Sequence, residues 1–144
     1  MRQRQQSYAI TAIAHQRRRV FQRTLTAELL IATLFRYRDS GRFLLHGFVV
    51  MPDHCHVLLT PAPDMSVERC VQLIKGGFSF AVRKEYPGEI WQEGHHAHRV
   101  VDADDMRNQL LYIANNPARK RFVDYRHVHT ASAYVGRIDA LPMI

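Results

Sequence analysis

Cysteine is scarce in this chain: Cys55 and Cys70 are the only two in 144 residues, and neither sits in a Cys-x-x-Cys pair. A disulfide framework is excluded, and a reducing cytoplasm is the expected compartment. There is no run of about 18 apolar residues and no charged-apolar-small leader, so neither membrane spanning nor secretion is expected. An acidic triad and a Gly-rich phosphate loop are also missing, which leaves nucleotide hydrolysis without support. No internal repeat or low-complexity linker divides the chain, and residues 1–144 read as one domain with a weakly patterned tail from about residue 124. Acidic residues are in the minority, 13 against 20 Lys and Arg, for a formal charge of +7. The cations cluster at Arg17, Arg18, Arg19 and Arg23, at Arg36, Arg38 and Arg42, and at Arg119, Lys120 and Arg121. That footprint suits a polyanion, although a solvated basic surface would carry the same charge.

Residues 7–15 are β-prone and open onto the basic Arg17-Arg18-Arg19 loop. Thr26 is placed to cap a helix reaching about Tyr37, with Leu29, Leu30, Thr33 and Leu34 at helical spacing and Asp39-Ser40-Gly41 as its stop. Strands over residues 42–50 and 54–60 flank Met51-Pro52-Asp53, a turn sequence, and so form a hairpin. Pairing Val50 with His54 would set Phe48 opposite His56 and His46 opposite Leu58, making His46 a candidate support for the other histidines. Ser66 caps a second long helix, with Met65 and Cys70 as a hydrophobic staple and Pro87-Gly88 as its end. Residues 90–92 and 96–101 read as strand. Asp102 caps a third helix to about Asn115, and Asn116-Pro117 resembles the start of a short basic helix over residues 118–123. Strand, helix, strand, strand, helix, strand and extra helix is the order of an α+β, ferredoxin-like split βαβ fold.

Within the apolar run Phe48 to Leu59, His54 and His56 stand two residues apart. Side chains alternate along a strand with period two, so both imidazoles project from one face, close enough to share a divalent ion. Two hydrogen-bonded histidines on a half-buried strand would fit equally well. Two imidazoles alone leave a metal underliganded, and the third helix offers more donors: Tyr112 and Asn116 are four apart on one helical face, backed by Met106, Leu110 and Ile113. His96-Ala97-His98 and His127-Val128-His129 repeat the spacing, but neither precedes a buried run such as Val57-Leu58-Leu59. Tyr125 and Tyr134 are rival phenols without a donor in helical register.

Met51-Pro52-Asp53-His54-Cys55-His56-Val57-Leu58-Leu59, followed by Tyr112-Ile113-Ala114-Asn115-Asn116-Pro117-Ala118-Arg119, resembles the single-tyrosine HUH transposases, specifically the REP-associated tyrosine transposases. The likeness runs through nearly the whole chain, including Arg17-Arg18-Arg19-Val20-Phe21, Leu73-Ile74-Lys75 and Trp91-Gln92. It implies that His54, His56 and Asn116 hold a divalent ion, Mg²⁺ or Mn²⁺, and that Tyr112 is the nucleophile of a DNA strand transfer through a 5′-phosphotyrosine. The implied partner is single-stranded DNA, hairpin-forming, with no membrane. Arg17, Arg18, Arg19, Arg119, Lys120 and Arg121 would track phosphates, and Phe21, Tyr37, Phe78 and Trp91 are faces for either base stacking or core packing. Two other readings stay open: a non-catalytic single-strand-binding module, and a metal phosphoesterase that activates water. A homodimer with a shared site is open as well.

Overall fold

The computed structural model describes residues 5–119, 128–129 and 138–140. Strand β1 (Tyr8–Ile13) leads through a single 3₁₀ turn (His15–Arg17) to helix α1 (Thr24–Asp39), then to β2 (Phe43–Met51) and β3 (His54–Pro61). Helix α2 (Val67–Ala81), strand β4 (His96–Arg99), helix α3 (Ala103–Arg119) and a short β5 (Val128–His129) follow. The described strands form one antiparallel sheet in the order β4-β1-β3-β2-β5. Its first four members have the ferredoxin-like order, as the element sequence predicts, and β5 extends the β2 edge.

Alternation along the strands divides the core in two. Ile10, Ala12, Phe48, Val50, Cys55, Val57 and Leu59 meet Leu30, Leu34, Ile74 and Phe78 of α1 and α2. On the other face, Val49, Met51 and Leu58 meet Met106 and Ile113 of α3. Each buried Leu, Ile or Phe contributes roughly 1.5–3 kcal/mol, so these two layers dominate the stability. Phe21 and Phe78 are fully buried, and with Trp91 they form a ring cluster at 5.2–5.7 Å. These three aromatics are core, and no base can stack on the two that are sealed from solvent.

Several expected boundaries shift. Thr26 does not cap α1: the helix begins at Thr24 behind Arg23, and the Thr26 hydroxyl donates back to the Val20 and Arg23 carbonyls. Ser66 caps α2 by accepting from the Arg69 N–H, but that helix ends at Ala81 and a turn bridges Val82 to Tyr86 before Pro87-Gly88. The hairpin turn is the two-residue Pro52-Asp53 step, so Met51 pairs with His54 and Val49 with His56, one position from the expected register. A bulge at His46, between Leu45 and Gly47, absorbs the difference. Asp102 caps α3 through the Asp105 N–H at 2.8 Å. Asn116-Pro117 starts no new helix, because α3 continues through it to Arg119.

His46 is fully buried and far along the strand from the other two histidines. Its Nδ1 lies 3.0 Å from the Asp139 carbonyl and its Nε2 2.8 Å from the Thr60 hydroxyl, which also bonds Ser7 at 2.6 Å. Asp139 is held in turn by Arg38 and by the Leu45 N–H. His46 therefore fastens residues 138–140 to the sheet, and it gives no support to His54 or His56.

At Gly77 an added Cβ would come within 2.9 Å of Tyr37 Cε2 and 3.0 Å of Thr33 Cγ2, whereas at Gly76 it would meet nothing within 4 Å. Gly76→Ala should raise stability by about 1 kcal/mol through helix propensity, and Gly77→Ala should fall about 1–3 kcal/mol below it by overpacking, as read from denaturant midpoints. Equal midpoints would mean that α1 and α2 do not approach this closely.

Burial holds the His46 pKa below its ordinary value of 6.5, against the opposing pull of the Asp139 carbonyl and charge. The folded state then binds fewer protons than the unfolded chain, so this contribution is complete above about pH 6.5 and is lost as the pH falls below it. Lowering the pH from 7.5 to 5.5 should depress the thermal midpoint of the wild type more than that of His46→Gln. Parallel pH profiles would show that His46 does not titrate with folding.

Candidate active site

Strand β3 is hydrogen-bonded on both edges, by β1 and by β2, and its alternation turns His54 and His56 away from the α1/α2 core. Cys55, between them, points the other way. It is sealed in the core with its thiol pushed up to about 12 by burial, so it is inert and takes no part in the site. The two imidazoles stand with ring centroids 4.9 Å apart and planes at 80°.

Each ring is oriented through its Nδ1. His54 Nδ1 lies 2.6 Å from Asp53 Oδ1, and His56 Nδ1 lies 2.8 Å from the Thr11 hydroxyl of β1. A histidine that uses Nδ1 in this way presents Nε2 to an ion, and such partners fix tautomer and ring angle. Burial alone would raise the Asp53 pKa, but the hydrogen bonds and charges of His54 and Arg17 outweigh it and hold the carboxyl below its ordinary range. Asp53 is thus a carboxylate, the form that accepts from the imidazole.

Helix α3 lies across this face and brings Tyr112 to the pair. The Tyr112 ring packs edge-on to His56 at a centroid distance of 5.2 Å, and the residue remains 39% exposed, enough to meet a substrate. One helical turn later Asn116 is only 1% exposed, and its Oδ1 is buried without a hydrogen-bond partner among the described residues. An orphaned buried amide oxygen costs about 1–3 kcal/mol. A hard cation would satisfy it, and a carboxamide oxygen together with two imidazoles is a donor set suited to Mg²⁺ or Mn²⁺. Among the described residues no three His, Cys, Asp or Glu side chains converge on a metal position, so any third ligand beside the two imidazoles would be of another type, such as the Asn116 amide. The residues present fit the ion.

The basic 3₁₀ turn is stitched to the same corner. Ala14 N–H donates to the Asp53 carbonyl at 2.9 Å and Phe21 N–H to the Pro52 carbonyl at 3.0 Å. Arg17 reaches the Asp53 carboxylate at 3.3 Å, and Arg18 donates to the Glu89 carbonyl. Gln16 and Arg17 both have positive φ, 54° and 51°, a region non-glycine residues seldom adopt. Arg17 therefore stands at the Asp53–His54 corner, while the Arg18 side chain turns to Glu89. Arg119 ends α3, while Lys120, Arg121, Tyr125, Tyr134 and His127 lie outside the described residues.

Two supports were not among the sequence candidates. Asp53 could have been found, being adjacent to His54 and next to a proline in the turn. Thr11 carried no signal of its own, since only the β1–β3 register, Thr11 against His56, brings it there. His96 and His98, rivals by spacing, line a cleft of about 320 Å³ together with Thr11, His56, Gln109 and Tyr112.

A comparison with curated proteins finds no match. Among solved structures, one of a REP-associated tyrosine transposase bound to a REP hairpin superposes with a TM-score of 0.75 at 19% identity, covering 98% of this chain and 93% of that one. A Deinococcus radiodurans R1 protein whose transposase role is itself inferred superposes with a TM-score of 0.60 at 20% identity, covering 80% of this chain and 92% of that one. At such identities the likeness establishes the fold. The family model described as "Transposase IS200 like" matches residues 2–116, a span that takes in the histidine pair, Tyr112 and Asn116. The chain belongs to the IS200-like transposase family.

Proposed function

We propose that this protein is a metal-dependent single-stranded DNA endonuclease and strand transferase of the REP-associated tyrosine type, with Tyr112 as its nucleophile. The observation that carries the reading is the packing of Tyr112 against His56, with the orphaned Asn116 oxygen one helical turn behind it. Membership of a transposase family makes DNA the substrate, and the similar fold that binds a REP hairpin suggests a hairpin-forming strand.

His54, His56 and Asn116 would hold a Mg²⁺ or Mn²⁺ ion, which when bound polarises the phosphoryl oxygens of the scissile diester. Asp53 and Thr11 keep the two imidazoles in their ligating orientation. Tyr112 attacks phosphorus, the bond to the 3′-oxygen breaks, and the products are a 5′-phosphotyrosyl link and a free 3′-hydroxyl. The new bond is again a phosphodiester, so a second 3′-hydroxyl can reverse the step and join new strands without a nucleotide cofactor. Arg17, at the Asp53–His54 corner, and with it Arg18 and Arg19 would contact the flanking phosphates, as would the basic residues Arg119, Lys120 and Arg121.

Tyr112→Phe removes one oxygen and keeps the ring against His56. The variant should fold, bind Mn²⁺ and bind single-stranded DNA, yet form neither covalent adduct nor cleaved product on a denaturing gel. His54→Ala and His56→Ala should lose Mn²⁺ binding in calorimetry as well as cleavage. Cleavage by Tyr112→Phe at near wild-type rate would make water the nucleophile and the protein a phosphoesterase. DNA binding with no cleavage by the wild type across a panel of labelled hairpins would make it a binding module.

Neutralising Arg18 and Arg19 to glutamine should weaken DNA binding and flatten its salt dependence by about 0.7 per lost phosphate contact in log K against log salt. An unchanged slope would return both to the solvated surface.

A further inference from the structure

The cleft beside Tyr112 contains a titratable group that the reading above does not use. Thr11 of β1 pairs with His56 on one side and with His96 on the other, so His56, Thr11 and His96 form a single row across β3, β1 and β4. Residues in register share a face, and neighbouring strands are about 4.8 Å apart, which puts the backbones of His56 and His96 on the order of 10 Å apart. Tyr112 stands at the His56 end of the row, and the cleft of about 320 Å³ opens between that end and His96.

The far wall is organised. His98 is held by Asp105, with Nε2 2.8 Å and 3.1 Å from its two oxygens, and Asp105 also accepts from Gln109 and from the Val101 N–H. His96 is different: it is exposed, and its side chain has no hydrogen bond or ion pair among the described residues, so the fold does not account for the imidazole.

The chemistry leaves one role unfilled. When the Tyr112 oxygen bonds to phosphorus, the departing 3′-oxygen takes the electron pair of the broken bond and needs a proton, because an alkoxide is a poor leaving group near neutral pH. We propose that the cleft receives the nucleotide on the leaving side of the scissile phosphate and that His96 is the general acid that protonates its 3′-oxygen. The Tyr112 proton passes to water as the O–P bond forms. The His96 imidazolium gives its proton to O3′ as the P–O3′ bond breaks, and it is reprotonated from solvent. In strand joining the neutral His96 takes the proton of the incoming 3′-hydroxyl, and the Tyr112 phenol is regenerated. This assignment rests on the tyrosine-transposase reading and adds a residue to it.

The test uses the full chain and a hairpin-bearing single-stranded oligonucleotide that gives a covalent adduct with the wild type. Its counterpart carries sulfur in place of the bridging 3′-oxygen at the scissile phosphate, since a thiolate leaves without a proton. His96→Gln should cleave the oxygen substrate 10²–10⁴-fold more slowly than wild type, a typical loss for a general acid, and cleave the sulfur substrate within a few-fold of wild type. Its DNA and Mn²⁺ affinities should be unchanged. His98→Gln, which removes the Asp105 partner, should slow both substrates alike. An equal loss on both substrates for His96→Gln, no loss at all, or sulfur rescue confined to His98→Gln would overturn the assignment. Absence of a wild-type adduct with either substrate would overturn the tyrosine reading, and this assignment with it.

Discussion

The period-two alternation of β3 is the constraint on which the site depends. With a partner on each edge and apolar layers on both faces, this strand cannot slip by one residue without driving two imidazoles into the α1/α2 core and turning Cys55, Val57 and Leu59 outward. Burying imidazole without partners costs several kcal/mol, and exposing three apolar side chains forfeits a comparable amount again. The hydrophobic core therefore fixes which face the histidines occupy. The supports come from the same pairing: Thr11 meets His56 only because β1 is locked to β3, and Asp53 meets His54 because the turn is two residues long.

The parts of this arrangement that follow local rules were legible from the residues alone. His54 and His56 on one face follow from alternation, Tyr112 and Asn116 on one helical stripe from the 3.6-residue period, and the Ser66 and Asp102 caps from side-chain chemistry. The element order likewise led to the ferredoxin-like sheet. Non-local relations were not legible. The register shifted by one because a two-residue turn and a bulge at His46 were indistinguishable in sequence from a three-residue turn without a bulge. The role of His46 depended on Asp139, which is 93 residues away. Thr26 has the composition of a cap, but its hydroxyl is drawn to the Val20 carbonyl by the preceding loop.

The misreading of Asn116-Pro117 is more instructive. An asparagine before a proline ordinarily begins a helix, because proline suits the first helical position and asparagine the cap. Here both lie inside α3. Pro117 has no N–H for the Ile113 carbonyl, and a proline within a helix costs about 3 kcal/mol. Asn116, in addition, buries an amide oxygen with no partner among the described residues. Two local penalties in adjacent residues, one turn beyond Tyr112, mark a place where the fold is not optimising its own stability, and such departures cluster at functional sites.

A second departure sits in the turn tied to the Pro52-Asp53 step. Gln16 and Arg17 adopt positive φ in succession, at roughly 1–3 kcal/mol each, where glycine would relieve the strain. Glycine at either position would also remove a side chain, and Arg17 is the one that reaches Asp53. The strained turn is held by the backbone bonds from Ala14 and Phe21 to the Pro52-Asp53 turn, which tie the segment that carries the arginines to the segment that carries His54. Under the proposed mechanism, a charged side chain anchored to the same turn as His54 would keep phosphate contact and metal position in fixed relation, as in-line attack by Tyr112 would require. The strained turn tied to the Asp53–His54 corner and the orphaned amide one turn beyond Tyr112 are both local costs, offset by the two-layer core.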